Sequence, residues 1–374
     1  MNTPRTIPVW DAALRQFHWL LVAAMALAAV TGFLLNATWL AWHVAGGLTA
    51  LALVLFRLIW GFTGSTHSRF ASFIPRPADV VAHLKSLTHR HHTAHAGHNP
   101  LGALMVLALL AVVLALAVTG LGVLGGMLKQ GPFKSLLSFA AGRSFREVHE
   151  LAAWTLLAMV VAHVAGVFYE SRRARDNLAR AMLTGRKTLD AAALAARHNQ
   201  ITASAARPRA ALALSAGLAV LVAIPAIMGL KAPPQGVPPA TLDPAYVKAC
   251  GDCHMAYPPS LLPAARWQEM MATLADHFGE DASLSAADAA SISAYLAANS
   301  AEHWDTLAAH AFATNTSPEP LRLTTTRFWQ RLHGGIPDAV FARTSVATKS
   351  NCAACHGDAA SGLFAPQMIN VPKE

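Results

Sequence analysis

Charge is scarce in this chain. Only 13% of its 374 residues are Asp, Glu, Lys or Arg, against 54% that are hydrophobic. The apolar residues run in long uninterrupted blocks, which excludes an ordinary soluble globule and is the profile of a membrane protein. Acids are scarcer still, 20 against 29 Lys and Arg, leaving a net charge of +9. No aromatic-interleaved basic groove accompanies that excess, so nucleic acid is excluded as a partner. Cations set beside apolar segments fit the positive-inside rule instead. Cysteine is limited to four residues in two pairs of equal spacing, Cys250/Cys253 and Cys352/Cys355, and none is left for a disulfide framework. Kinase, nucleotide-binding and signalling motifs are absent as well.

What is present is a set of apolar windows near 17–35, 42–61, 101–124, 148–169 and 210–230. Each is about 20 residues long, enough to span about 30 Å of hydrocarbon. Five transmembrane helices are expected. The loop after the second carries Arg69, Arg76, Lys85 and Arg90 against Asp79, and the stretch after the fourth carries nine cations between Arg172 and Arg209. Both belong in the cytoplasm, which puts the N-terminus inside and everything after residue 231 outside. Lys129, Lys134, Arg143 and Arg146 precede the fourth window, so the bias is a majority vote. Arg207 and Arg209 with the apolar run behind them have the parts of a secretion signal, expected to stay uncleaved as a tether. KAPPQGVPPATLDP then forms a stiff linker, and the chain from about 244 to 374 reads as a soluble helical domain.

Each cysteine pair belongs to a CxxCH motif, ending in His254 and His356. That spacing attaches c-type haem: two thiols add across the vinyl groups and the histidine lies under the iron. Attachment takes place outside the bacterial cytoplasm, on the side the topology assigns to this domain. For the sixth ligands His277, His303, His310, His333 and several methionines are available. His277 follows the amphipathic run ARWQEMMATLAD and His333 follows TTTRFWQR, so each can reach back over its own haem, whereas His303 and His310 read as surface residues.

The fourth window holds two more histidines, His149 and His163. Fourteen residues of α-helix rise about 21 Å and return to the same face within about 40°. Unpaired imidazoles in lipid are costly and need named partners. His18 opens the first window on the inner side, level with His163, and His43 opens the second on the outer side, level with His149. The four sort into His43/His149 and His18/His163, the pattern for two bis-histidine b haems. Gly32, Gly46 and Gly47 either let a porphyrin approach or serve ordinary helix packing. Arg57 either pairs a haem propionate or snorkels to the phosphates. HRHHTAHAGHNP, residues 89–100, reads as a solvated loop before it reads as a metal or proton-relay site.

HWLLVAAMALAAVTG, WHVAGGLTALALVLFRLIWGFTG, RFASF, GHNPLGALMVLALL and VHELAAWTLLAMVVAHVAG together resemble the bacterial cytochrome b561 family, hydrogenase cytochrome b subunits included, over residues 8–180. The resemblance implies a four-helix bundle with two b haems on His18, His43, His149 and His163. CGDCHMAYPPSLLPAARW, DHFGEDASL, RLTTTRFWQRLH and NCAACHGDAASGLF resemble dihaem cytochrome c. That resemblance implies bis-histidine irons with His277 and His333 as distal ligands.

The expected architecture is all-α. It comprises a four-helix haem bundle over 8–180, a basic segment 181–209, a fifth membrane helix 210–230, a linker 231–243 and a periplasmic dihaem domain 244–374. The expected function is membrane electron transfer, from the quinol pool through two b haems and two c haems to a periplasmic acceptor, such as a small haem protein or a terminal reductase. The alternatives are superoxide-to-quinone transfer, with the cations before the fourth window as a funnel, and an anchor subunit of a respiratory complex. A haem sensor is the least favoured.

Overall fold

The computed structural model describes residues 5–88, 97–174, 176–189, 213, 216–217, 234–314 and 319–373. The expected fifth helix, most of the His89–His98 cluster, and Arg197, Arg207 and Arg209 lie outside the described residues. Among the described residues four helices are long and apolar enough to cross a membrane: Ala12–Leu34, Ala37–Thr63, Pro100–Gly126 and Phe139–Ala174. They coincide with the first four apolar windows. The chain divides into two compact units, one of residues 1–35, 42–121 and 145–228, the other of 36–41, 122–144 and 229–374.

In the first unit, α1 (Ala12–Ala29) starts where Asp11 caps it, its Oδ1 accepting from the Leu14 amide at 2.7 Å. It ends in a π turn, Val30–Leu34. The Thr31 hydroxyl donates to the Leu27 and Ala28 carbonyls at 2.6 and 3.1 Å there, loosening the regular ladder. α2 (Leu40–Thr63), the short α3 (Pro77–Thr88), α4 (Pro100–Gly126) and α5 (Phe139–Ala174) follow. Ala50, Val54, Ala103, Leu110, Val113 and Leu156 form the inner seam. Leu20, Phe62, Leu151, Trp154 and Val161 point outward, the arrangement of side chains meant for lipid. At 36 residues α5 is about 54 Å long, so it runs well past the hydrocarbon.

Beside the helices there is one sheet among the described residues. β1 (Arg5–Pro8) pairs antiparallel with β2 (Arg186–Leu189), with Arg5 opposite Leu189 and Pro8 opposite Arg186. α6 (Leu178–Thr184) leads into β2 through Gly185, whose φ of +77° and closeness to the Trp10 carbonyl leave no room for a side chain.

The second unit is helical and built of short pieces. Pro244–Cys250, Ala264–Ala272 and Ala286–Ala298 enclose Tyr246, Trp267, Ile292 and Leu296. Leu307–Ala313 packs Ala308 and Phe312 on Leu261. Arg327–His333 starts at Thr326, whose hydroxyl accepts from the Trp329 amide.

Candidate haem centres

His43, in the first turn of α2, and His149, in α5, have ring centroids 6.1 Å apart. Two imidazoles on opposite faces of one iron, each bonded at about 2 Å with its centre about 1 Å further back, lie about 6 Å apart. The pair has that spacing. The Ala28 carbonyl lies 2.9 Å from His43 Nδ1 and can only accept, so Nδ1 holds the proton and Nε2 keeps a free lone pair. On the other side the Thr119 hydroxyl donates to the Ala115 carbonyl at 2.7 Å, leaving its oxygen to accept from His149 Nδ1 at 3.0 Å. Thr31 stands 3.4 Å from His43 Nδ1 in the equivalent place.

Glycines complete the two mounts. A Cβ on Gly32 would lie 3.0 Å from His43 Cε1, and one on Gly120 would lie 3.3 Å from His149 Cε1. Gly32 therefore makes room for an imidazole. Gly46 packs on the Ala24 carbonyl and Ala28, and Gly47 meets nothing within 4 Å. The sequence signal for the mounts is a repeated tripeptide, Val30-Thr31-Gly32 and Val118-Thr119-Gly120, of which sequence reasoning singled out only Gly32.

The inner pair is set differently. His18 on α1 and His163 on α5 are within electrostatic range of each other, and His18 Nδ1 is buried without a hydrogen-bond partner among the described residues. Near them lies a cationic pocket. Arg57 is 1% exposed, and its Nη1 and Nη2 find no acceptor among the described residues. The guanidinium lies over Phe70 and Phe73, 4.9 and 5.7 Å from their centres. Asp11 attracts it from a distance. The Asp11 oxygens are already taken, by the Leu14 amide, Trp60, Ser65 and Ser68. Burial alone would raise the Asp11 carboxyl, but these hydrogen bonds outweigh it and hold the group below its usual range.

His98, the last histidine of the 89–98 cluster, belongs to the same pocket. Its ring lies between Trp10 and Phe73, at 4.7 and 4.9 Å, with Nδ1 buried and without a partner among the described residues. Burial pushes it down to about 3, helped by Lys187, Arg57, His163 and His67. Lys187 donates to the Gly97 carbonyl at 3.0 Å and lies over Trp10, and burial pushes it down to about 8 against the pull of Asp176 and Glu170. Buried cationic groups with orphaned N–H bonds fit a bound carboxylate, and a haem propionate supplies one.

In the second unit no disulfide joins the four CxxCH cysteines among the described residues. His254 and His277 have centroids 6.1 Å apart, and His333 and His356 are 6.0 Å apart. Both separations match the spacing across one iron. His254 Nδ1 donates to the Met255 carbonyl at 2.8 Å and His333 Nδ1 to the Trp329 carbonyl at 3.0 Å, which frees Nε2 on each. Trp329 also stacks on His333 at 4.5 Å and 9°. Burial lowers His277, with His254 adding to the effect, and pushes His356 down to about 4 with help from His333. Such rings are neutral at physiological pH, the form that binds metal. His303 joins neither pair, and His310 lies against Phe139 and Asp305.

The chain matches two family models, prokaryotic cytochrome b561 over residues 9–185 and dihaem cytochrome c over residues 246–364. Its first part is similar to the one family and its last part to the other. The b561 segment is similar to the probable Ni/Fe-hydrogenase 1 B-type cytochrome subunit of Escherichia coli K12, 23% identical over 208 residues that cover 47% of this chain and 88% of that one. It is also similar to the probable Ni/Fe-hydrogenase B-type cytochrome subunit of Azotobacter chroococcum mcd 1, at 25% over 47% and 86%. The dihaem cytochrome c segment is 40% identical to the crystallised DHC of Rhodobacter sphaeroides, covering 33% of this chain and 98% of that one with a TM-score of 0.26. It is 33% identical to the dihaem cytochrome c of Shewanella baltica OS155, covering 36% and 95% with a TM-score of 0.29. A b561-type segment and a dihaem cytochrome c segment in one chain support membrane electron transfer and imply haems of b and c type.

Proposed function

We propose that the protein carries electrons from quinol through two b haems, at His18/His163 and His43/His149, to two c haems, at His254/His277 and His356/His333, and on to a periplasmic acceptor. Haem, when bound, takes up and releases one electron at a time. The observation that carries the reading is the common spacing of three histidine pairs, each matching two ligands on one iron. With both axial positions taken by histidine, no iron keeps an open site for substrate chemistry. Cys250, Cys253, Cys352 and Cys355 hold the c haems covalently. Arg57, with His98 and Lys187 beside it, holds the propionates of the inner b haem.

Connections 36–41 and 122–144 belong to the same unit as the CxxCH segment, which supports placing that segment on the outer, periplasmic side. Superoxide-to-quinone transfer loses support from the same region. Lys129 is buried and bonded to Asp305, and Arg146 is paired with Glu150, so half of the expected funnel spends its charge on carboxylates. The names of the b561 relatives favour one second reading, an anchor for a hydrogenase, which predicts co-purification with a catalytic subunit.

A pyridine haemochrome spectrum of the purified protein, with reduction by a quinol analogue followed in the same preparation, tests the proposal. Equal b and c haem, both reduced by quinol, is the expected result. Protein with c haem alone refutes the four membrane ligands, and b haem that quinol leaves oxidised refutes the donor.

A further inference from the structure

The second unit contains an ion pair between residues far apart in sequence. Lys129 Nζ donates to Asp305 Oδ2 at 2.5 Å. The Phe139 amide, at the start of α5, donates to the same oxygen at 2.7 Å. His310 Nε2 lies 2.9 Å from the other oxygen, and its ring stacks on Phe139 at 4.7 Å and 17°. One carboxylate thus gathers three donors.

Lys129 is an unusual residue to find there. Its side chain is 5% exposed, and its backbone has a φ of +54°, a region that lysine rarely adopts. A buried ammonium needs a counter-charge, and a strained residue persists only where its surroundings hold it. Asp305 supplies the charge, and the Leu137 carbonyl, 3.2 Å from Nζ, supplies a further acceptor. Burial works to raise the Asp305 carboxyl, but the bonds from Lys129, His310 and Phe139 prevail and hold it below its usual range. Gly126 and Gly142 brace the same segment, each leaving no space for a Cβ against the other's backbone.

We propose that Asp305 is a positioning residue, the latch that fastens the dihaem segment to the 127–139 connection so that the segment does not swing on its linker while the c haems are being reduced. The inference rests on the conduit reading given above. With the latch open, the dihaem segment stays tethered at an effective concentration on the order of mM, so transfer slows without stopping.

The test uses the full-length, haem-loaded protein with Asp305→Ala and Asp305→Glu. Stopped-flow reduction by a quinol analogue records b and c haem at their separate bands, and hydrogen–deuterium exchange reads the amides of 127–139. Asp305→Ala is expected to leave haem content and the rate of b reduction unchanged. Its c haems should be reduced about tenfold or more slowly, with faster exchange at 127–139. Asp305→Glu, which keeps the charge, should restore most of the rate. Exchange at 127–139 equal to wild type in Asp305→Ala overturns the latch, as does c-haem reduction at the wild-type rate. Wild-type protein whose b haems are reduced while its c haems stay oxidised refutes the conduit reading instead, and the exchange measurement still judges the latch.

Discussion

Replacing Arg57 with methionine is expected to have opposite effects on the protein with and without haem. The guanidinium is fully buried, Nη1 and Nη2 have no acceptor among the described residues, and the Asp11 oxygens are already engaged. Without haem it is a buried charge short of partners, and an apolar residue of similar volume is neutral or stabilising by about 1–4 kcal/mol. With haem, Arg57 makes charge-assisted bonds to a propionate, and losing them costs about 1.5–3 kcal/mol. That is about a ten- to 150-fold weaker hold on the inner b haem. Arg57→Lys should fall between, since a point charge replaces a planar fork. Thermal unfolding in detergent of protein made with and without haem reads the first effect, and transfer of b haem to apomyoglobin reads the second. The reasoning is refuted if Arg57→Met keeps both b haems as firmly as wild type, or if it destabilises the haem-free protein as much as the loaded one.

Gly32→Ala puts a Cβ 3.0 Å from the His43 ring and should cost the outer b haem, whereas Gly120→Ala, at 3.3 Å from His149, should weaken it less; b-to-c haem ratios after purification decide. Thr119→Val removes the acceptor for His149 Nδ1–H, makes the ligand less basic and should raise the outer b-haem potential by a few tens of mV in a redox titration. His98, pushed down to about 3 when folded and near 6.5 when unfolded, binds fewer protons in the native state between those values. Stability in that window should therefore rise with pH by at most about 1.4 kcal/mol per unit, and His98→Gln should flatten the slope seen in melting curves.

The membrane helices were legible because hydropathy is a local property, summed over one segment at a time. Among the first four windows the start of α5 differed most. The helix begins at Phe139, ahead of the apolar window at 148, because GRSFREVHE continues it beyond the hydrocarbon, where charge is no obstacle. The His43/His149 pair was legible for a related reason, since helical rise and turn convert a spacing into a depth. Thr31 and Thr119 were not, because a threonine that back-bonds its own helix looks the same in sequence whether or not an imidazole leans on it. His98, Lys187 and Asp305 were hidden more deeply. Each takes its meaning from residues roughly 90 to 180 positions away, and no local pattern records such a meeting. The β1–β2 pairing was missed on the same ground.

That pairing also sets an order of assembly. A ribosome adds about 5–20 residues per second, so β1 waits about 10–40 s for β2 to emerge. His43, Thr119 and His149 are complete by residue 149, well before Lys187 arrives beside Trp10 and His98. The outer b-haem mount is ready while the inner one still lacks a wall, and pulse-labelled chains released at 174 residues, with His163 in place, and at 190 residues should differ in how firmly they retain haem at the inner site.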